Sequence, residues 1–347
     1  MRKEGVKWLM RAGALAIVGI MILIGHQRVF AEATYFETFR AETLAKLGEV
    51  PRPAKPLKIG AILITLANPF WVTVKEGYEN TSKELAVTID VQAAPQENSI
   101  AGQLDLLENM VVKGYDALTV HAITPQNVIP GLAKARAKGI PVVTDKRVDI
   151  KAAREAGADP IEIALVDFYG QGRTGGAFLA ARVKAGGGGR VAFIEGLPGA
   201  PQSEARKNGA IEAFKAEPSV NLVAVQPGNW DRMKAYSVAS NLLQAHPDLK
   251  GIMCANDVMA LAAVEAVEAA GKQGRVAVVG IDLIPQARDA IKAGRLAGSV
   301  AQSPFLVGEM CARAAILSAL GRPVPLEAYI PIVLVSRENI ARMDGWK

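Results

Sequence analysis

The sequence predicts an α/β protein built from two parallel-sheet domains in series, and three observations carry that expectation. Short apolar runs rich in Val and Ile alternate with longer stretches of helical period, the pattern of strands covered by helices on both faces. Ten such runs follow Leu57, more than a usual single sheet holds. The chain of 347 residues is 50% hydrophobic and 21% charged, enough for two packed cores.

In chain order the expected strands are "KIGAILITL", "VTIDVQ", "YDALTVHA", "IPVVTD", "IEIALVD", "RVAFIEG", "NLVAVQ", "GIMCA", "VAVVGID" and "LAGSVAQ". Helical period marks Ile100–Lys113, Gln202–Lys215, Asp231–Gln244 and Val258–Ala270 between them. A break between domains is expected near "AAREAGADPIEI", Ala152–Ile163.

The N-terminus reads differently. Residues 1–31 carry five basic residues against Glu4, a net of +4 out of the chain's +6. Basic residues lead into the apolar "AGALAIVGIMILIG", and Val29 and Ala31 flank Phe30 as a cleavage site would require, so a secretory signal is expected. The apolar core is shorter than the ~20 residues that cross a bilayer, and an uncleaved anchor is the alternative. No Cys lies near it for lipid attachment. The remaining body is almost neutral, which argues against a nucleic-acid partner. Residues 32–56 predict a short helix, with Tyr35, Phe36, Phe39, Leu44 and Leu47 on one face, then a linker stiffened by Pro51, Pro53 and Pro56. Cys254 and Cys311 sit in apolar contexts and read as small buried thiols.

Parallel sheets bind ligands beyond the carboxyl ends of their strands. The residues there are Asn68, Pro69, Phe70 and Trp71, then His121, Asp145, Lys146, Arg147, Asp167 and Phe168. The loop before Arg206 follows, with Trp230, Asn256, Asp257, Asp282 and Gln302. This set holds no metal-ligand cluster and no paired nucleophile and base, so neither a metal, a cofactor nor a reaction is expected. Planar amides, carboxylates and guanidinium groups suit hydroxyls that both donate and accept. Phe70, Trp71 and Trp230 could wall a sugar ring's apolar face. Asn68 would cap the next helix, with Pro69 at its first position. The plainer alternative makes Asn68 only a cap and the aromatics core packing.

Two glycine motifs need weighing. "GQGRTGG" spells the dinucleotide pattern with Gly170, Gly172 and Gly175. The residues "DFY" separate it from the strand, whereas the fingerprint turns directly out of one. Close helix packing is the expected use of these glycines. Gly186–Gly189 read as a helix stop and turn.

The pieces "TLANPFWVTVKEG", "LPGAPQSEARKNGAIEAF", "NWDRMKAYSVASNLLQAHPDLKGIMCANDVMALAAVEAV", "VVGIDLIPQARDAIKAGRLAGSVAQSP" and "PIVLVS" occur in that order. In them the chain resembles the ribose- and galactose-type periplasmic sugar-binding proteins, the type I solute-binding subunits of ABC importers, from about Leu57 to Ser336. The resemblance implies an α/β fold of two doubly wound parallel-sheet lobes joined by three crossover segments. They would comprise 57–166 plus 303–333 and 167–302 plus 334–347, behind a signal at 1–31 and an extension at 32–56.

It further implies a monomeric periplasmic protein that captures a sugar or polyol and delivers it to a membrane ABC permease. Serving a chemoreceptor or sensor kinase is the alternative role. By the resemblance Asn68 bonds hydroxyls, Phe70 stacks, Trp71 lines the pocket, Arg206 bonds ring oxygen and hydroxyls, and Trp230 stacks. Asn256, Asp282 and Gln302 match polar contacts of the second lobe. Departures are His121 where Asn is usual, Lys146 and Arg147 on the usual Asp-Arg pair, and Asn208 where ribose-type members carry an arginine. "AGGGGR" replaces the calcium loop of galactose-type members. A cleft of His121, Lys146, Arg147 and Arg206 raises an anionic sugar derivative as a second ligand class.

Overall fold

The computed structural model describes residues 34–145 and 147–347. The expected signal and the side chain of Lys146 therefore fall outside the described residues.

Two sheets form, as the alternating pattern requires. The first contains β1 (Lys58–Thr65), β2 (Thr88–Ala94), β3 (Ala117–Val120), β4 (Val142–Asp145) and β5 (Ile161–Ile163), in the order β2-β1-β3-β4-β5. All its pairings are parallel. The second contains β6 (Gly189–Glu195), β7 (Val220–Pro227), β8 (Leu249–Cys254), β9 (Ala277–Asp282), β10 (Gly298–Ala301) and β11 (Val333–Ser336), in the order β11-β10-β9-β8-β6-β7. Its one departure from parallel pairing is β11, which runs antiparallel on β10. The chain changes sheet after β5, just past the stretch where a break was expected.

In each sheet the strand order reverses beside the first strand, between β1 and β3 and between β6 and β8. A crevice opens at such a point because the flanking connections leave to opposite faces. Strands in the middle of the sheets are covered on both sides, which is why β3 and β4 are buried at every position, Thr119, Thr144 and Asp145 included.

The helices follow from caps and spacing. They are α1 (Tyr35–Leu44), α2 (Pro69–Leu85), α3 (Ile100–Lys113), α4 (Ile129–Ala137), α5 (Ile150–Glu155) and α6 (Phe168–Ala185). Then come α7 (Pro201–Lys215), α8 (Arg232–Ala245), α9 (Asp257–Ala269), α10 (Pro285–Lys292) and α11 (Pro304–Ala319). Asn68, Asp167, Asp231, Asn256 and Ser303 each accept an N–H of the following first turn.

The glycine pattern at Gly170–Gly175 lies inside α6 and serves packing. A Cβ on Gly172 would stand 1.9 Å from the Arg206 carbonyl oxygen of α7, and one on Gly209 would stand 2.2 Å from that of Tyr169. The two helices touch backbone to backbone, and no room is left for a pyrophosphate. Cys254 and Cys311 are free and buried, as their contexts suggested.

The extension docks on the main body through two kinds of contact. Phe36 and Phe39 are buried, and the Trp346 ring lies 5.7 Å from Phe36, 4.8 Å from Phe39 and 6.0 Å from Tyr35. Arg40 grips Glu309 of α11 with two bonds of 2.6 and 2.7 Å, and Asn80 of α2 donates a third at 2.7 Å. Glu309 is fully buried, so those donors take the place of water around its carboxylate oxygens. Removing one partner of such a pair costs several kcal/mol. Arg40→Ala is expected to lower stability by roughly 3 kcal/mol, measured as the shift of the urea midpoint at unchanged slope.

Candidate functional site

The carboxyl edges of the two sheets meet around one cavity. Its walls are Ile64, Asn68, Phe70, Trp71, Glu97 and Arg147 from the first sheet's side, and Gln202, Arg206, Trp230, Asn256, Asp282 and Gln302 from the second. The space they enclose is small, about 30 Å³.

Two asparagines are fixed by the same device on opposite sides. Asn68 Oδ1 accepts the Phe70 N–H at 3.0 Å, and Asn256 Oδ1 accepts that of Met259 at 3.0 Å. Each carbonyl is committed to its helix, which holds the amide in one orientation. The Asn68 amide donates to Glu97 Oε1 at 2.8 Å. Phe70 and Trp71, the adjacent aromatics after the first strand, stand edge to face with centroids 5.1 Å apart. They give the cavity an apolar wall. Trp230, at φ 63°, forms another beside Gly196. A Cβ on Gly196 would lie 2.0 Å from the Trp230 ring, so that wall needs a glycine there.

Both arginines are almost wholly buried, and each is neutralised locally. Arg206 donates to Gln171 Oε1 at 2.9 Å, the Ala255 carbonyl at 2.7 Å and Asp282 Oδ1 at 3.2 Å. Arg147 donates to Asp145 Oδ2 and lies 5.4 Å over Trp71 and 5.0 Å over Phe168. Arg206 sits 5.6 Å over the same Phe168 ring. Burial, then the like charge of Arg206, pull Arg147 down to about 10. Burial also lowers Arg206, against the opposing pull of Asp282.

The carboxyls move the other way. Burial pushes Asp282 up to about 6 against Arg206 and the Gln302 amide, and Glu97 up to about 7 against its bond from Asn68. Arg147 Nε, Gln202 Oε1 and Gln302 Oε1 are buried and have no partner within the protein. Such groups cost free energy unless something bonds them.

Nine of the twelve residues picked from sequence therefore share one cavity: Asn68, Phe70, Trp71, Arg147, Arg206, Trp230, Asn256, Asp282 and Gln302. Lys146 lies outside the described residues. Two expectations need correction. His121 is fully buried but sits one layer behind the wall, bonded to Asp145 and Tyr78 with its ring 5.2 Å from that of Trp71. Asn208 is exposed, because residues two apart on a helix face nearly opposite ways and Arg206 takes the inward face.

Three wall residues were missed. Glu97 stands in the polar loop "PQENS", and Gln202 lies just inside a helix start. Position after a strand end was the signal that could have found both. Ile64 looked like core because it belongs to an apolar strand.

Comparison with known proteins adds a lineage. The family profile described as periplasmic binding protein domain matches residues 59–323. The D-allose-binding periplasmic protein of Escherichia coli (strain K12) is 42% identical over 248 residues, covering 71% of this chain and 79% of that protein. The ribose import binding protein of Bacillus subtilis (strain 168) is 32% identical over 84% of this chain and 93% of its own length. Among solved structures, an ABC transporter periplasmic solute binding protein of Actinobacillus succinogenes 130z with bound D-allose superposes with a TM-score of 0.78. It is 35% identical and covers 83% of this chain and 99% of its own.

The raised carboxyls fix the sign of a pH effect. A group whose folded pKa lies above its unfolded value adds stability at low pH and loses it as pH rises through the folded value. For Glu97 that window runs from 4.5 to about 7. Unfolding free energy should fall across it by on the order of 1–3 kcal/mol from this group. Glu97→Gln is expected to flatten that slope between pH 5 and 8, read from denaturant midpoints at each pH.

Proposed function

The chain belongs to the periplasmic binding protein family, and from that premise we propose that it captures one neutral monosaccharide of the allose or ribose kind and hands it to an ABC permease. The observation that carries this reading is the single cavity where the carboxyl edges of both sheets converge, walled by aromatic rings and by directed polar side chains. Phe70, Trp71 and Trp230 offer apolar faces to the C–H side of such a ring. Asn68, Arg147, Gln202, Arg206, Asn256, Asp282 and Gln302 offer paired donors and acceptors to its hydroxyls. These wall residues are the proposed ligand contacts.

The relatives and solved neighbours reported above are named as binding proteins, and the chain is a binding protein without a catalytic role. It works in the periplasm, and the stretch at residues 1–31 is proposed as its cleaved export signal. A relative named for ribose import favours transport over a purely sensory role.

The anionic alternative loses its main support. Of the four groups that suggested a basic cleft, His121 lies behind the wall and is held neutral by burial. Arg147 and Arg206 are each paired with an aspartate. Glu97 and Asp282 add acidic oxygen to the wall. Among the described residues, an incoming carboxylate or phosphate would meet charges already balanced.

A ligand at 100 times its Kd should raise unfolding free energy by ~2.7 kcal/mol. Thermal shift and calorimetry with D-allose and D-ribose are expected to register that gain, while D-gluconate and D-ribose 5-phosphate leave the midpoint unmoved. Shifts from the anions alone would overturn the neutral-sugar reading. Trp71→Ala and Gly196→Ala, which remove or displace an aromatic wall, are each expected to weaken D-allose binding about tenfold or more, a loss of ~1.4 kcal/mol. Calorimetric titration of folded variants checks it.

A further inference from the structure

His121 was expected to touch the ligand, and its real surroundings suggest a different task. Its Nδ1 lies 2.9 Å from Asp145 Oδ2, and its Nε2 lies 3.0 Å from the Tyr78 hydroxyl. The same Asp145 oxygen accepts Arg147 Nη1. Tyr78 stands two turns after Trp71 on α2, so both rings face His121, at 6.3 and 5.2 Å. Tyr78 also reaches Thr119 Oγ1 at 3.3 Å. Every member of this chain except Arg147 lies outside the cavity wall, and Arg147 alone faces it.

We propose that Tyr78, His121 and Asp145 form a buried relay that positions Arg147 for ligand, with His121 as its pivot. This rests on the binding reading given above. The bonding roles follow from the atoms. A carboxylate oxygen only accepts, so His121 Nδ1 carries the proton and donates to Asp145. Nε2 then has a lone pair and accepts from the Tyr78 hydroxyl, which accepts in turn from Thr119. The imidazole stays uncharged, because burial first and Arg147 second oppose its protonation.

Asp145 therefore keeps its full charge for Arg147, while the histidine N–H fixes which way its carboxylate turns. Were the proton on Nε2 instead, Nδ1 would present a lone pair to the carboxylate and push it away. The charged and titratable groups facing His121 are Asp145 and Arg147, with Tyr78 and the buried Cys311 beyond. The aromatic face of the imidazole also backs Trp71, so one residue braces two parts of the wall.

Two measurements test this. Long-range nitrogen–proton correlation spectra of the unliganded protein should show His121 neutral and protonated on Nδ1. Protonation on Nε2, or an imidazolium at pH 7, would overturn the relay whatever the protein binds. The second is a mutant cycle in D-allose affinity. Tyr78→Phe, which removes one hydroxyl and keeps the ring, is expected to weaken binding about fivefold and to have almost no effect in an Arg147→Ala background. Equal effects in both backgrounds would mean Tyr78 and His121 do not act through Arg147. Should Arg147→Ala fail to fold, Arg147→Lys replaces it in the cycle. If the wild type binds neither D-allose nor D-ribose, the binding reading fails while the nitrogen spectra still decide the relay.

Discussion

Burying two guanidinium groups in one cleft is the constraint from which the rest of the site follows. Arg147 and Arg206 both lie over the Phe168 ring, at 5.0 and 5.6 Å. Taking one such ion from water costs several kcal/mol, and two like charges side by side cost more. The protein offsets this with a carboxylate for each, Asp145 on one side and Asp282 on the other. Those carboxylates are buried in their turn, which is why Asp282 rises to about 6. The outcome is a polar but nearly neutral lining, rich in directed donors and poor in net field. Such a lining leaves an added charge without a free partner among the described residues, and directed hydrogen bonds rather than net field set its chemistry.

The placement of those groups is a consequence of the sheet topology. Each sheet reverses strand order beside its first strand, and a helix begins at that point with an asparagine as cap. The cap interaction that starts the helix also orients the amide that faces the cavity. One hydrogen bond thus serves the helix start and the cavity wall together, so a change at Asn68 or Asn256 disturbs both.

Much of this was legible in the sequence because parallel sheets have one functional edge. Reading the residues after each apolar run found Asn68, Arg147, Asn256, Asp282 and Gln302 without any structure. The method failed where its geometry was too coarse. His121 does follow a strand, yet β3 is central and short, and the side chain leaving it passes under α2 rather than over the edge. Asn208 was placed because ribose-type proteins carry an arginine at that position, yet a helix turns about 200° in the two residues from Arg206. Glu97 was hidden because a loop after an outer strand carries no periodicity to mark which polar residue bends inward. The extension's helix was visible in its aromatic spacing. Its main partners, Trp346 and Glu309, are some 270 to 310 positions away in the chain and no local pattern announces them.

Backbone conformation shows where the fold accepts strain. Among the described residues, five that are not glycine have positive φ, and only Ala86, a helix end, lies away from the cavity. Asn229 and Trp230 form one strained pair, and Asp282 and Leu283 form the other. Each such residue costs on the order of 1–3 kcal/mol, and the second pair is held by a specific network. The Leu283 N–H donates to Ser299 Oγ at 3.0 Å, Ser299 donates to Asp257 at 2.8 Å, and the Ile284 N–H donates to Asp257 at 3.0 Å. Asp257 is fully buried, with a pKa raised first by that burial and then by Asp282. These three bonds satisfy the turn that aims Asp282 at Arg206. A residue behind the site thereby holds the geometry that a residue in the site needs, as His121 does across the cleft. The wall of this cavity is stiff where its charged side chains answer to groups behind it, Arg147 to Asp145 and Arg206 to Gln171.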